Sequence, residues 1–186
     1  MIVLVGYASV HGSTHEIAHR IATLLEQDGV HAETAPMSAL TDPRRYDAFV
    51  LGSAIRNGRW LPPAEAFLRG HAADLDGRPG WLFSVGLTRI VAGRLGRRTP
   101  EPAQVACFRE VMRIHEHHVF AGALDKDDLP WFGRNLYRML RGHYGDYRDW
   151  GEIDAWADDI ARTLRAGRTP SGDADAARPD RRRHDP

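Results

Sequence analysis

The 186-residue chain has one cysteine, Cys107. A lone thiol excludes an intramolecular disulfide and every multi-cysteine metal or iron–sulfur site, and it fits reducing surroundings. Lysine is equally scarce, because Lys126 is the only one among 25 basic residues. Positive charge therefore rests on arginine, a permanently charged fork suited to carboxylates and phosphates. Net charge is missing too, since 25 acidic residues offset the 25 basic ones. No apolar run approaches the roughly 18 residues that a membrane-spanning helix needs. Residues 1–6, MIVLVG, are apolar, but no basic stretch precedes them and polar residues soon follow. They read as a strand and not as a signal peptide. The expectation is a cytoplasmic protein with one domain over residues 1–166.

What is present alternates between strand and helix patterns. Residues 2–7 are β-branched and too short for a helix, and they run into the small polar loop Ala8-Ser9-Val10-His11-Gly12-Ser13-Thr14. Ile17, Ile21, Leu24 and Leu25 then recur at helical spacing, with Ser13 or Thr14 as the expected cap and Gly29 as the stop. Residues 31–35 and 47–52 read as strands two and three, and 62–75 as a helix that begins at a proline pair. Residues 81–85 form the expected fourth strand, 105–114 a helix, 119–124 the fifth strand, and 131–140 and 153–164 two more helices. This alternation predicts an α/β fold, a doubly wound five-stranded parallel sheet of order 2-1-3-4-5 with helices on both faces. Residues 167–186 have no apolar periodicity, and their arginines are offset by aspartates. They read as a disordered, solvated tail.

In a doubly wound sheet, ligands bind outside the carboxyl ends of the strands where the winding reverses. The loops after strands one, three and four are therefore the places to look. The first, Ser9-Val10-His11-Gly12-Ser13-Thr14, sets hydroxyls around a glycine just before a helix and so offers N–H groups and a positive helix end to an anion. Two other phosphate motifs fail. Five residues separate Gly6 from Gly12, Ser13 stands where a nucleotide P-loop has lysine, and there is no G-x-G-x-x-G. The second loop supplies Ser53, Ala54, Ile55, Arg56 and Gly58 and ends on Trp60, expected to be exposed. The third supplies Ser84, Val85, Gly86 and Leu87. A phosphate cradle with two further loops at one edge, one bearing an aromatic ring, suits flavin mononucleotide (FMN), with Trp60 either stacking on the flavin or packing inside.

Ser9-x-x-Gly12-Ser13-Thr14 followed by the Ile17-Ala18 helix resembles the flavodoxin-like FMN proteins. Other motifs are similar to the menaquinone-dependent protoporphyrinogen IX dehydrogenase branch. These are Gly52-Ser53-Ala54-Ile55-Arg56-x-Gly58, Phe67 and His71, Ser84-Val85-x-Leu87, Arg98-Thr99-Pro100, Ala121-Gly122-Ala123-Leu124 and the aromatic helix from Trp131. The resemblance implies FMN held by the first, third and fourth strand loops, with two-electron chemistry on a porphyrinogen or quinone. The alternatives are an electron-transfer module without its own substrate and a flavin-free regulatory domain. Acidic shuttles dock basic partners, which the zero net charge of this chain disfavours.

Beside the expected flavin stand Arg89, Arg94, Arg97 and Arg98, candidate partners for substrate carboxylates such as porphyrin propionates. Residues 131–141 carry an apolar face and an arginine face, which suits either packing beside the sheet or peripheral contact with a membrane surface. His115, His117 and His118 lie where helix turns to strand, so their side chains diverge and no metal is expected. Cys107 is expected as a small core residue. No nucleic acid is expected as a partner, and no catalytic acid or base is identifiable.

Overall fold

The computed structural model describes residues 1–86, 101–124 and 145–167. Its strands are β1 (Ile2–Ala8), β2 (His31–Pro36), β3 (Ala48–Arg56), β4 (Arg59–Trp60), β5 (Pro79–Val85), β6 (Arg113–Phe120), β7 (Ala123–Leu124) and β8 (Gly145–Asp146). The helices are α1 (Ser13–Gln27), α2 (Pro62–Leu75), α3 (Ala103–Val111) and α4 (Trp150–Ala166). The main sheet runs β2-β1-β3-β5-β6, all parallel, with β4 paired antiparallel to the end of β3. The five parallel strands are in the expected order.

Both faces of the sheet are covered, so the central strands read as nearly continuous apolar runs. Val3, Val5, Val50, Trp81 and Phe83 face α1 and α4, in a core with Ile17, Ile21, Trp156 and Ile160. Leu4, Phe49, Leu51 and Leu82 face the other way, against Phe67 and Leu75 of α2 and Val105 and Phe108 of α3. Gly52 leaves room for Phe83, because a Cβ there would lie 2.0 Å from the Phe83 ring. Helices α1 and α4 are tied by a fork from Arg20 to Asp154 at 2.8 and 2.6 Å. Asp149 caps α4, its Oδ1 accepting from the Glu152 N–H at 3.1 Å.

Several boundaries differ from the expectation. Helix α3 stops at Val111, where the Met112 N–H still bonds the Phe108 carbonyl but the Arg113 N–H turns to Arg78, and β6 begins at Arg113 instead of near 119. The apolar residues 105, 108, 111, 112 and 114 extend the helical rhythm past the true end. Residues 121–124 are not the continuation of that strand, since Ala123-Leu124 pairs antiparallel with Gly145-Asp146 in a separate ribbon. Cys107 is exposed and not a core residue, because α3 turns Gln104, Val105 and Phe108 inward. The expected helix at 131–140 and the tail lie outside the described residues.

Candidate functional site

The in-register carboxyl ends of β1, β3, β5 and β6 bring the four following segments to one edge of the sheet. The first carries the loop into α1. Its cap is Gly12, at φ 93° and ψ −28°, with no side-chain capping bond. The expected Ser13 or Thr14 cap is thereby corrected. Ser9 Oγ accepts the Gly12 N–H at 3.1 Å, and the Glu16 N–H bonds the Gly12 carbonyl at 2.9 Å. The N–H groups of Ser13, Thr14 and His15 form the open, positive end of a 15-residue helix. Ser13 Oγ accepts from the Ala123 N–H at 3.3 Å. Both serine oxygens thus act as acceptors toward the fold, and each hydroxyl still carries a hydrogen that it can donate. Thr14 is buried, so it offers its backbone N–H, while Val10 and His11 are exposed.

The second segment is not the open loop that was expected. β3 continues to Arg56, turns through Asn57 (φ 51°) and Gly58 (φ 75°), and returns as Arg59-Trp60. Two left-handed residues of type Asn-Gly are the signature of a tight hairpin turn, a signal the sequence carries in plain view. Ala54 and Ile55 are half-buried, and Arg56 and Gly58 are exposed at the sheet edge. Trp60 departs from the expected exposed ring. It is 3% exposed, its ring centroid lies 5.3 Å from that of Phe108, and its Nε1–H donates to Ser84 Oγ at 2.7 Å. Apolar burial with a satisfied indole makes it a core residue.

Two serines expected to face the cofactor also turn inward. Ser53 Oγ accepts the Leu61 N–H at 2.9 Å and donates to the Ala54 carbonyl, and Ser84 is fully buried between Trp60 and His117. Val85 is buried among the α1 and α4 residues. Gly86 is half-buried, and its N–H donates to the Phe120 carbonyl at 3.2 Å. Leu87 and the four arginines Arg89, Arg94, Arg97 and Arg98 lie outside the described residues, as do residues 131–141.

The sequence reading missed the groups behind Ser84. His117 Nε2 lies 2.9 Å from Ser84 Oγ, and its Nδ1 lies 3.1 Å from a Glu101 carboxylate oxygen, which also pairs with Arg109 at 3.0 Å. Burial holds the His117 imidazole below its ordinary pKa, against the pull of Glu101. His118 points to the opposite face, 3.0 Å from Glu152, and His115 stacks on Trp81. The three imidazoles do not converge, and among the described residues no group of three metal-ligating side chains gathers. Also unforeseen is Arg148, whose guanidinium bonds Asp146 at 2.8 and 2.7 Å and Glu16 of α1 at 2.5 Å. It ties the β7–β8 ribbon to the first turn of α1, and those bonds raise its pKa further, so it stays charged.

A family model described as the flavodoxin domain matches residues 4–149. The chain is 28% identical over 175 residues to the protoporphyrinogen IX dehydrogenase [quinone] of Escherichia coli K12, covering 87% of this chain and 95% of that protein. Among solved structures, a flavodoxin from the domain Archaea aligns with a TM-score of 0.59 at 19% identity, over 89% of this chain and 99% of the other. A cysteine-substituted flavodoxin from Pseudomonas aeruginosa aligns with a TM-score of 0.56 at 17% identity, over 89% and 99%. The flavodoxin domain indicates FMN as the cofactor. The residues present fit its phosphate end, with a helix start that has no side-chain cap, a left-handed glycine and two part-buried serine hydroxyls beside it.

Proposed function

The chain belongs to the flavodoxin-domain family, and from that premise we propose that it is an FMN-dependent oxidoreductase acting on a protoporphyrinogen, with a quinone as electron acceptor. The observation that carries the substrate is similarity to the Escherichia coli dehydrogenase along 95% of that protein and 87% of this chain. FMN when bound supplies reversible two-electron chemistry, and the protein supplies binding and orientation.

In this reading the N–H groups of Ser13, Thr14 and His15 and the hydroxyls of Ser9 and Ser13 hold the phosphate, with Gly12 setting their direction. Val10, His11, Ala54, Ile55, Arg56, Gly58 and Gly86 border the rest of the cofactor at the same edge. Trp60, Ser53 and Ser84 support that edge from beneath. Arg89, Arg94, Arg97 and Arg98 follow β5 in the chain and suit the propionates of a porphyrinogen, because a guanidinium pairs with a carboxylate through two parallel bonds. Residues 131–141 offer an apolar and basic helix pattern for a membrane surface where a quinone is met. Among the described residues no helix is long and apolar enough to cross a membrane.

The test is steady-state. FMN-loaded protein, protoporphyrinogen IX and a menaquinone analogue are mixed without oxygen, and the product is followed by porphyrin fluorescence. Porphyrin formation that requires both FMN and quinone supports the reading, and none above the protein-free rate sinks it.

A further inference from the structure

Beneath the flavin-side hairpin lies a hydrogen-bonded row with no place in phosphate binding: Trp60, Ser84 and the His117 side chain are buried, and Glu101 ends the row at the exposed surface. Donor and acceptor capacity fixes its direction. An indole N–H only donates and a carboxylate only accepts. Ser84 Oγ therefore accepts from Trp60 and passes its own hydrogen to His117 Nε2. That leaves the His117 proton on Nδ1, donated to Glu101. The opposite tautomer would set the Nδ1 lone pair against the carboxylate and strand the Ser84 hydrogen in a fully buried place.

This row resembles a nucleophile–base–acid triad, but two facts exclude catalysis. Ser84 is fully buried, so no substrate atom reaches it. Nor does the row conduct protons, since it ends on an indole that cannot accept one.

What remains is placement. Ser53 and Ser84 are register partners on β3 and β5, and they hold consecutive groups, the Leu61 N–H and the Trp60 indole. β4 has only two residues, so its ladder pairs, Ile55 with Trp60 and Arg56 with Arg59, give the turn little support of their own. The Trp60 N–H goes to Gln104 Oε1 at 3.3 Å, which leaves the buried Gln104 Nε2 without a partner. That orphan donor adds nothing to the hold on Trp60.

We propose that His117 is a positioning residue for this hairpin: as the neutral acceptor for Ser84 it fixes the hydroxyl that holds Trp60, and so sets where Arg56, Asn57, Gly58 and Arg59 stand. The effect on the cofactor rests on the reading that this hairpin borders FMN. Glu101 and Arg109 from the α3 side, Ser84 from β5 and His118 on its own strand are the polar and charged groups that act on His117.

The test uses the full chain with two variants. His117→Gln keeps an acceptor for Ser84 and a donor for Glu101 but does not titrate, whereas His117→Leu offers neither. The Trp60 indole N–H is followed by NMR in the FMN-free protein, its peak identified by its loss in Trp60→Phe, and FMN affinity is then measured by fluorescence quenching. In the wild type the Trp60 peak shifts as acid protonates His117. In His117→Gln it does not respond to pH and FMN affinity stays within about twofold. In His117→Leu the peak moves and FMN binds about tenfold more weakly, the loss expected from roughly one broken buried hydrogen bond. A Trp60 peak insensitive to both acid and His117→Leu overturns the proposal, with or without flavin. A peak that moves while FMN affinity stays that of the wild type supports the positioning role and overturns the reading that this hairpin borders FMN. If the wild type binds no FMN, the flavin reading fails separately and the Trp60 response alone decides the positioning role. Should His117→Leu fail to fold, the pH response of wild type against His117→Gln decides it.

Discussion

Gly12→Ala isolates what the backbone contributes to the loop proposed to hold phosphate. At φ 93° the residue sits in a region that L side chains rarely adopt, yet a Cβ built there would meet nothing closer than a Glu16 carboxylate oxygen at 3.8 Å. The penalty is therefore conformational and not steric, about 1–2 kcal/mol for a residue with a Cβ. It can surface in two ways. If the loop keeps its shape, the fold bears the cost, and Tm falls by about 2–8 °C for a domain of this size. If the loop relaxes, stability returns but the Ser13, Thr14 and His15 N–H groups lose their alignment, and FMN affinity drops about 5- to 30-fold. Calorimetry of the FMN-free protein and fluorescence titration with FMN read the two parts, which together should amount to about 1–2 kcal/mol. Asn, which tolerates left-handed backbone, should cost least, Ala more, and β-branched Val most. A Gly12→Val protein with wild-type Tm and wild-type FMN affinity would refute the argument.

Gly52→Ala should cost about 1–3 kcal/mol in urea denaturation, because the new methyl meets the buried Phe83 ring at 2.0–2.2 Å, and Phe83→Leu in the same chain should recover part of it. His117 is pushed below its ordinary pKa by burial, and His115 by burial and by Arg113. The unfolded chain therefore takes up protons first as pH falls. Stability from these groups is complete above about pH 6.5 and is lost as pH drops through that value toward the lower folded pKa values. Denaturant midpoints measured from pH 8 to 5 should show that decline, and His117→Gln should lessen it. Neutral replacement of Arg94, Arg97 and Arg98 together should raise KM for a carboxylated porphyrinogen without changing KM for the quinone. Equal KM values would make the cluster solvated surface only.

The five-stranded order was legible because both faces of the sheet are buried, which writes each central strand as a nearly continuous apolar run within 47–52 or 81–85. The turn into α1, proposed to hold phosphate, was legible because its groups are local: Ser9, Gly12 and Ser13 lie within five residues, and Gly12 sits at φ 93° at the helix start. What failed was long-range. Nothing near Trp60 in the chain announces that its indole meets Ser84, 24 positions away, and nothing near Ser84 announces His117, 33 positions on. Strand parity held a partial clue, since adjacent His117 and His118 must face opposite ways. The hairpin was a different kind of miss. Asn57-Gly58 is a local signal that the surrounding glycines and serines disguised as a flexible loop. The end of α3 was obscured because apolar residues at 111, 112 and 114 serve the helix and the following strand in turn.

The reductive half-reaction tests the central claim most directly. FMN-loaded protein is mixed anaerobically with protoporphyrinogen IX while flavin absorbance is followed, and a menaquinone analogue is added afterward. The account predicts bleaching of the flavin by the porphyrinogen alone and its return when the quinone arrives. Flavin that stays oxidised in excess porphyrinogen, in a protein shown to bind FMN, would contradict it.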